Sequence, residues 1–272
     1  MPDKYVKIPA KIARLGRILE EIMITPKEYF ENYLSWKRSD SGLRSAKSTY
    51  APFSALDLES LTAEAEAGSP GAQEELGERY LFGLSDLKAD PKKAKELFTK
   101  AADQGQPDAM HMLSEIHRTA EYGMFDYEQY FTLLVKAAQG GSWKAMFNLA
   151  CALYKGKDAY DGCGFEVNKL EALKWSTHCV VMTMGLMDFY FKNPCSEDFK
   201  DYFQGVFALF IQSVCVSARQ LILGDGVNQD LKWAHDMLTN ANNFYRGIFK
   251  ANCSDFEVLL QHCEEKMNEK AE

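Results

Sequence analysis

The sequence predicts an all-α protein, an α/α right-handed superhelical solenoid of helix-pair repeats. Three observations carry that expectation. Small and apolar residues recur at a fixed period: Ala72, Leu76 and Gly77 return as Ala109, Leu113 and Ser114, then as Ala145, Leu149 and Ala150, offset by 37 and then 36 residues. A helix-ending pattern recurs with them, as Lys100-Ala101-Ala102-Asp103-Gln104-Gly105 and Lys136-Ala137-Ala138-Gln139-Gly140. Helix-starting residues stand between, at Asp90-Pro91, Asp126 and Asn168. Units of this length cannot bury their own apolar faces and must stack on one another.

Residues 1–50 read as an N-terminal helical cap. Ile8, Ile12, Leu15, Ile18, Leu19 and Ile22 recur at helical spacing, with Lys and Arg between them. The same amphipathic pattern gives residues 4–24 an alternative use, contact with an anionic membrane surface. Lys4, Lys7, Lys11, Arg14 and Arg17 interrupt any apolar run, so the segment does not read as a signal peptide and the expected location is cytoplasmic. Thr25-Pro26 starts a second helix carrying Tyr29, Phe30, Tyr33, Leu34 and Trp36. Ser39 to Pro52 is polar and reads as a boundary loop. A further helix is expected from Ser54, with Asp57 at its third position, ending at Gly68-Ser69-Pro70-Gly71.

The repeat array is expected over residues 51–252. First helices fall near 70–82, 107–120 and 142–155, and second helices near 91–104, 126–139 and 168–182. Gly77, Ser114 and Ala150 share one register, where two helices cross closely and a large side chain would part them. The third unit carries a Gly/Asp-rich insertion near residues 156–167. Asp158 and Asp161 there do not complete a calcium-loop pattern. The register is hard to follow from Thr183 to Asp198, where Pro194 interrupts. Val206 to Leu223 approaches the length of a membrane span. Gln212, Arg219 and Gln220 interrupt it, and Ser213, Ser217 and Ala218 suit a buried first helix instead. A last unit follows from Gly224 to Ala234, and residues 253–272 form a charged C-terminal capping helix.

These residues resemble the Sel-one-like repeat (SLR) family, helical solenoids similar to tetratricopeptide repeats. The first unit carries the resemblance through Ala72, Leu76, Gly77, Tyr80, Gly83, Lys93, Ala94, Lys100, Ala101, Ala102 and Gly105. The third matches at Ala145, Leu149, Gly156, Ala172 and Trp175, with Tyr154 displaced by one, and the last at Gly224, Gly226, Val227, Asp230 and Ala234. The second unit departs, with His117, Ala120 and Tyr130 at pattern positions. The resemblance implies a repeat fold and a role as adaptor, assembly factor or interaction protein. A secreted branch with regularly spaced bridged cysteines binds penicillin-like molecules; this chain lacks that spacing, so the property does not carry over.

The formal charge is −8 and unevenly spread. Residues 1–50 hold 10 Lys and Arg against 6 Asp and Glu, leaving 21 against 33 in the remainder, a balance of −12. An acidic array argues against a nucleic-acid backbone as its ligand and suits a basic partner, although a net negative surface also simply maintains solubility. The seven cysteines form no C-x-x-C or zinc spacing and read mostly as small core hydrophobes. Cys151 and Cys179 fall on the two helices of one unit, where an oxidising compartment would let them bridge. The five histidines form no metal pair. The sequence nominates no catalytic residue, metal site or cofactor.

The first helices are expected to line a concave face. The nominated partner-binding residues are Glu75, Glu78 and Arg79 in the first unit, Met112 and Glu115 in the second, Phe147 and Asn148 in the third, and Gln212 and Arg219 later. For each, the plainer alternative is a solvated or neighbour-covered helix residue. The reading is a non-catalytic scaffold or adaptor that binds another protein or peptide along an acidic concave groove. Two alternatives stay open: a small-molecule binder or enzyme using the 156–167 loop and the cysteines, and an immunity or inhibitor protein that blocks a basic effector.

Overall fold

Short polar side chains serve the free amides at most helix starts. The computed structural model describes residues 53, 56–160, 164–192 and 200–270. The expected helices of residues 1–50, with Asp161, Cys163, Pro194 and Cys195, lie outside the described residues. The helices are α1 (Leu58–Glu66), α2 (Pro70–Phe82), α3 (Pro91–Asp103), α4 (Pro107–Arg118), α5 (Tyr127–Gln139), α6 (Trp143–Lys155), α7 (Lys169–Lys192), α8 (Lys200–Leu223), α9 (Leu231–Phe249) and α10 (Ser254–Glu269). No strand occurs among the described residues, and the fold is an all-α helical solenoid.

Asp90, Asp126 and Asn168 cap α3, α5 and α7 as expected, each accepting from an amide of the first turn. Asp57 does not sit inside α1. It is the cap itself, accepting from Ser60 N at 2.8 Å, and the helix begins one residue later. The stop at Gly68 is followed directly by the next start, because Ser69 caps α2 and Pro70 is its first residue. After α5 the left-handed residue is Gly141 (φ 104°), while Gly140 keeps helical geometry. The longest departure is α7. It was expected to end near residue 182 but runs to Lys192, through Gly185, because no proline precedes Pro194 and Val180, Met182, Met184, Leu186 and Met187 are buried along its length.

One backbone bond recurs in every unit. The amide of the residue capping the second helix donates to a carbonyl near the end of the first: Asp90 to Tyr80, Asp126 to His117, Asn168 to Leu153 and Asp230 to Leu221, at 2.7–3.1 Å. It satisfies groups that helix ends otherwise leave exposed and sets the turn between paired helices. Between units, buried polar side chains add to the apolar contacts. Gln106 donates to Glu74 at 2.5 Å, and Ser142 donates to Asp108 at 2.8 Å, all four residues buried.

The first helices α4, α6 and α8 touch their successors α6, α8 and α10 more closely than successive second helices touch each other. The apolar interior falls into three groups. One joins α1 to α3, a second joins α2 to α4, and the largest runs from α5 to α10. The seam between the last two lies within the second unit, where the sequence departs from its repeat, and half-buried Met110 and Leu133 cross it. The window Gln204–Leu223 is long and apolar enough to cross a membrane by length and composition, and 56% of it is buried inside this structure.

Gly77 lies where a Cβ would come within 2.8–3.1 Å of the Phe98 ring, so α2 and α3 meet through a missing side chain. The described parts of the insertion after α6 pack on α5. Residues Lys157–Tyr160 form a 3-10 turn, and Tyr160 and Phe165 stack on Tyr127, Tyr130 and Phe131 of α5. Gly164 adopts φ 89°, and a Cβ there would lie 2.3 Å from Phe131. Only glycine lets the loop close over that ring.

Candidate functional site

The nominated stripe divides into residues the fold brings together and residues it takes away. Arg79 is taken away. It is 4% exposed, and its guanidinium donates to the carbonyls of Phe53 (3.3 Å) and Leu56 (3.0 Å) and to Glu75 (3.2 Å). It therefore ties the segment before α1 to the array and presents no charge to a partner. Glu75 is half-buried in the same pair, Glu78 is half-buried, and Met112 packs partly into the core.

The second and third units do meet on this face. Asn148 Nδ2 donates to Glu115 Oε1 at 3.2 Å and to His111 Nε2 at 3.1 Å. Arg118 Nε donates to the other oxygen of Glu115 at 2.9 Å. Burial pushes His111 down to about 4, so the ring is neutral and accepts from Asn148. The nominated acids Glu75 and Glu115 are thus each paired with an arginine inside the chain. The acidic groove expected from overall charge is, at these two positions, already neutralised.

Farther along, Phe147 of α6 and Arg219 of α8 converge. They line a cavity of about 210 Å³ between the two first helices, together with Ala150, Cys151, Tyr154, Lys155, Ala172, Val216, Gln220, Leu223 and Asp225. Phe147, Cys151 and Tyr154 stand at i, i+4 and i+7 of one helix. Val216, Arg219 or Gln220, and Leu223 stand at i, i+3 or i+4, and i+7 of the other. Sequence reasoning nominated only one residue from each stripe, although this spacing was the signal for the rest. Gln212 is exposed on the same helix but outside the cavity.

The rim is cationic. Arg219 and Lys155 are exposed and make no hydrogen bond or ion pair among the described residues. The carboxylate of Asp225 is already engaged, accepting from Lys169 Nζ at 2.5 Å and from the Tyr154 hydroxyl, and these bonds hold it below the usual carboxylate range. Lys169 Nζ also lies 5.0 Å from the Tyr154 ring centre. This latch links α6, α7 and the turn after α8 at the mouth of the cavity.

Burial disfavours the thiolate at three described cysteines. Burial raises Cys151 above its ordinary value and pushes Cys179 and Cys215 up to about 12. Cys151 and Cys179 are both free; Cys179 donates to the Trp143 carbonyl at 3.4 Å. Among the described residues no group of three His, Cys, Asp or Glu is placed to hold a metal ion.

The profile of the Sel1 repeat matches residues 70–106 and 143–177, the first and third units, and passes over the divergent second. The ERAD-associated E3 ubiquitin-protein ligase component HRD3A of Arabidopsis thaliana is 39% identical over 61 residues, which make up 22% of this chain and 9% of that protein. A protective antigen of uropathogenic Escherichia coli displaying an SLR fold aligns over 76% of this chain and 56% of its own, at 18% identity and a TM-score of 0.41. A Sel1 repeat protein from Oxalobacter formigenes aligns over 48% of this chain and 98% of its own, at 27% identity and a TM-score of 0.39.

Proposed function

Because the chain is a Sel1-like repeat protein, we propose that it is a non-catalytic scaffold holding a partner protein on the face formed by α2, α4, α6 and α8. Sel1 repeats generally mediate protein–protein interaction. The observation that carries the reading is the continuity of the stripe across units: Glu115 bonded to Asn148 on α6, and Phe147 beside it sharing a cavity with Arg219 on α8. The carboxylates Glu75 and Glu115 of the first units are paired within the chain, whereas Arg219 and Lys155 toward the last have no partner among the described residues. A partner matched to it carries acidic side chains where it meets α6 and α8. The small-molecule reading loses ground on size, since the cavity falls below the roughly 300–1,000 Å³ usual for drug-sized ligands. The enzyme reading loses ground at Cys151, Cys179 and Cys215, whose thiols burial raises.

Site-specific photocross-linking tests the proposal. A photoreactive residue is placed in the full chain at Met112 or Gln212 on the first helices, or at Glu96 or Lys232 on the second helices. Cross-links to a shared partner from 112 and 212 and none from 96 and 232 are the expected result. The reverse pattern refutes the face assignment. The same capture across rising salt addresses the inhibitor alternative: association with a basic effector weakens steeply with ionic strength.

A further inference from the structure

We propose that the cavity between α6 and α8 is a socket for one aromatic or long aliphatic side chain of a partner peptide, whose adjacent acidic side chains are held by Arg219 and Lys155. The proposal rests on the scaffold reading and goes beyond it by assigning the chemistry of the anchor.

Three features converge on that chemistry. The walls are apolar, supplied by Phe147, Ala150, Ala172, Val216 and Leu223, with Leu223 56% exposed at the lip. An exposed leucine beside an open apolar cavity is surface that burial against a partner would stabilise. The volume of about 210 Å³ suits one side chain rather than a cofactor or metabolite.

The charges then select the neighbours of that side chain. Two cations face the mouth without partners among the described residues, while the one lining carboxylate, Asp225, is satisfied by Lys169 and Tyr154. An incoming carboxylate therefore meets free donors and no free anion. Arg219 presents a planar fork that carboxylates match in two-point fashion, and Lys155 adds a mobile point charge. A basic peptide meets two like charges instead.

The test uses the full 272-residue chain and a fluorescein-labelled peptide of sequence Gly-Ser-Phe-Glu-Glu-Ser-Gly, read by fluorescence anisotropy. Three controls replace Phe with Ala, the Glu pair with Gln, or the Glu pair with Lys. The parent peptide is expected to bind at least about tenfold more tightly than any control. Arg219→Glu, on an exposed side chain, is expected to lose the Phe-Glu-Glu peptide and gain the Phe-Lys-Lys one, with the melting curve checking that the variant is folded. Saturating parent peptide is expected to slow alkylation of Cys151, read by mass spectrometry. Equal binding of the acidic and neutral peptides, binding of none, or an unchanged preference in Arg219→Glu overturns the socket. Cross-links from 112 and 212 alongside peptide failure leave the scaffold standing without the socket. Peptide selectivity with cross-links only from the second helices leaves the socket and removes the scaffold face.

Discussion

The hydroxyl of Ser142 donates to Asp108 at 2.8 Å across 34 residues of sequence while also accepting from Ala145 N at 3.4 Å, so one side chain both caps α6 and fastens two units. Ser142→Ala is expected to cost about 1–3 kcal/mol, combining a lost cap with a buried carboxylate short of a donor. Ser69→Ala provides the contrast. Ser69 is half-exposed and caps α2 through Ala72 N at 3.5 Å, so its loss is expected to cost about 1 kcal/mol or less. Chemical denaturation of both variants measures the difference; equal costs would mean the link between units contributes nothing.

Gly77 and Phe98 form a second such dependency. Alanine at 77 gains about 1 kcal/mol of helix propensity but places a methyl against a fully buried ring. Overpacking of about 1–3 kcal/mol is expected to win, leaving Gly77→Ala net destabilised and Gly77→Leu far more so. In a Phe98→Leu background the penalty for Gly77→Ala is expected to shrink. A double-mutant cycle of urea midpoints reads the coupling, and strict additivity would rule out the contact as its source.

Acid sensitivity is expected from two buried histidines. Burial lowers both His111 and His178 to about 4, against an ordinary value of 6.5. Above pH 6.5 both are neutral folded or unfolded. Between 6.5 and 4 only the unfolded chain takes up the protons, so stability falls as pH falls, by on the order of 3 kcal/mol per group, and the loss levels off below 4. Neither ring nitrogen of His178 has a hydrogen-bond partner among the described residues. His178→Leu is therefore expected to flatten part of this slope and to be more stable than the parent at pH 5. A melting series from pH 7 to 4 decides; parallel curves for parent and variant would refute the assignment.

Thiol reactivity is expected to follow burial. At pH 8 in the folded protein, Cys151 and Cys215, half-buried with raised values, react slowly with maleimide, and the buried Cys179, Cys253 and Cys263 react only after denaturation. Peptide-resolved mass spectrometry reports each site. A fast-reacting Cys151 in the native chain would revive the reading that uses cysteine chemistry.

Most of the repeat geometry was legible because its signals are local. Asp90-Pro91, Asp126 and Asn168 announce helix starts through their own side chains, and Gly77 announces a close crossing by having none. What was not legible depends on long reach. Arg79 follows the exposed pattern of its helix, yet its guanidinium spans to carbonyls of Phe53 and Leu56, which only the docking of α1 brings near. The neutralised acids are a different case: Glu75–Arg79 and Glu115–Arg118 are pairs four and three residues apart on one helix, legible from spacing although total charge hides them. Phe147 and Arg219 were each visible from spacing, but their shared cavity depends on how closely α6 approaches α8. The extent of α7 was hidden because Gly185 weakens the helical pattern without ending it, and Pro194 says where a helix must stop and not whether it reaches that far.

The seam within the second unit carries a dynamic consequence. Two small apolar groups lie on one side of it and a single large one on the other, so opening α1 to α4 forfeits far less than opening α5 to α10. Amide protons are expected to exchange soonest in the amino-terminal units and last in α7 and α8, as two cooperative blocks rather than one. A protein seated across α4 and α6 spans both blocks, and its arrival is expected to make them exchange together.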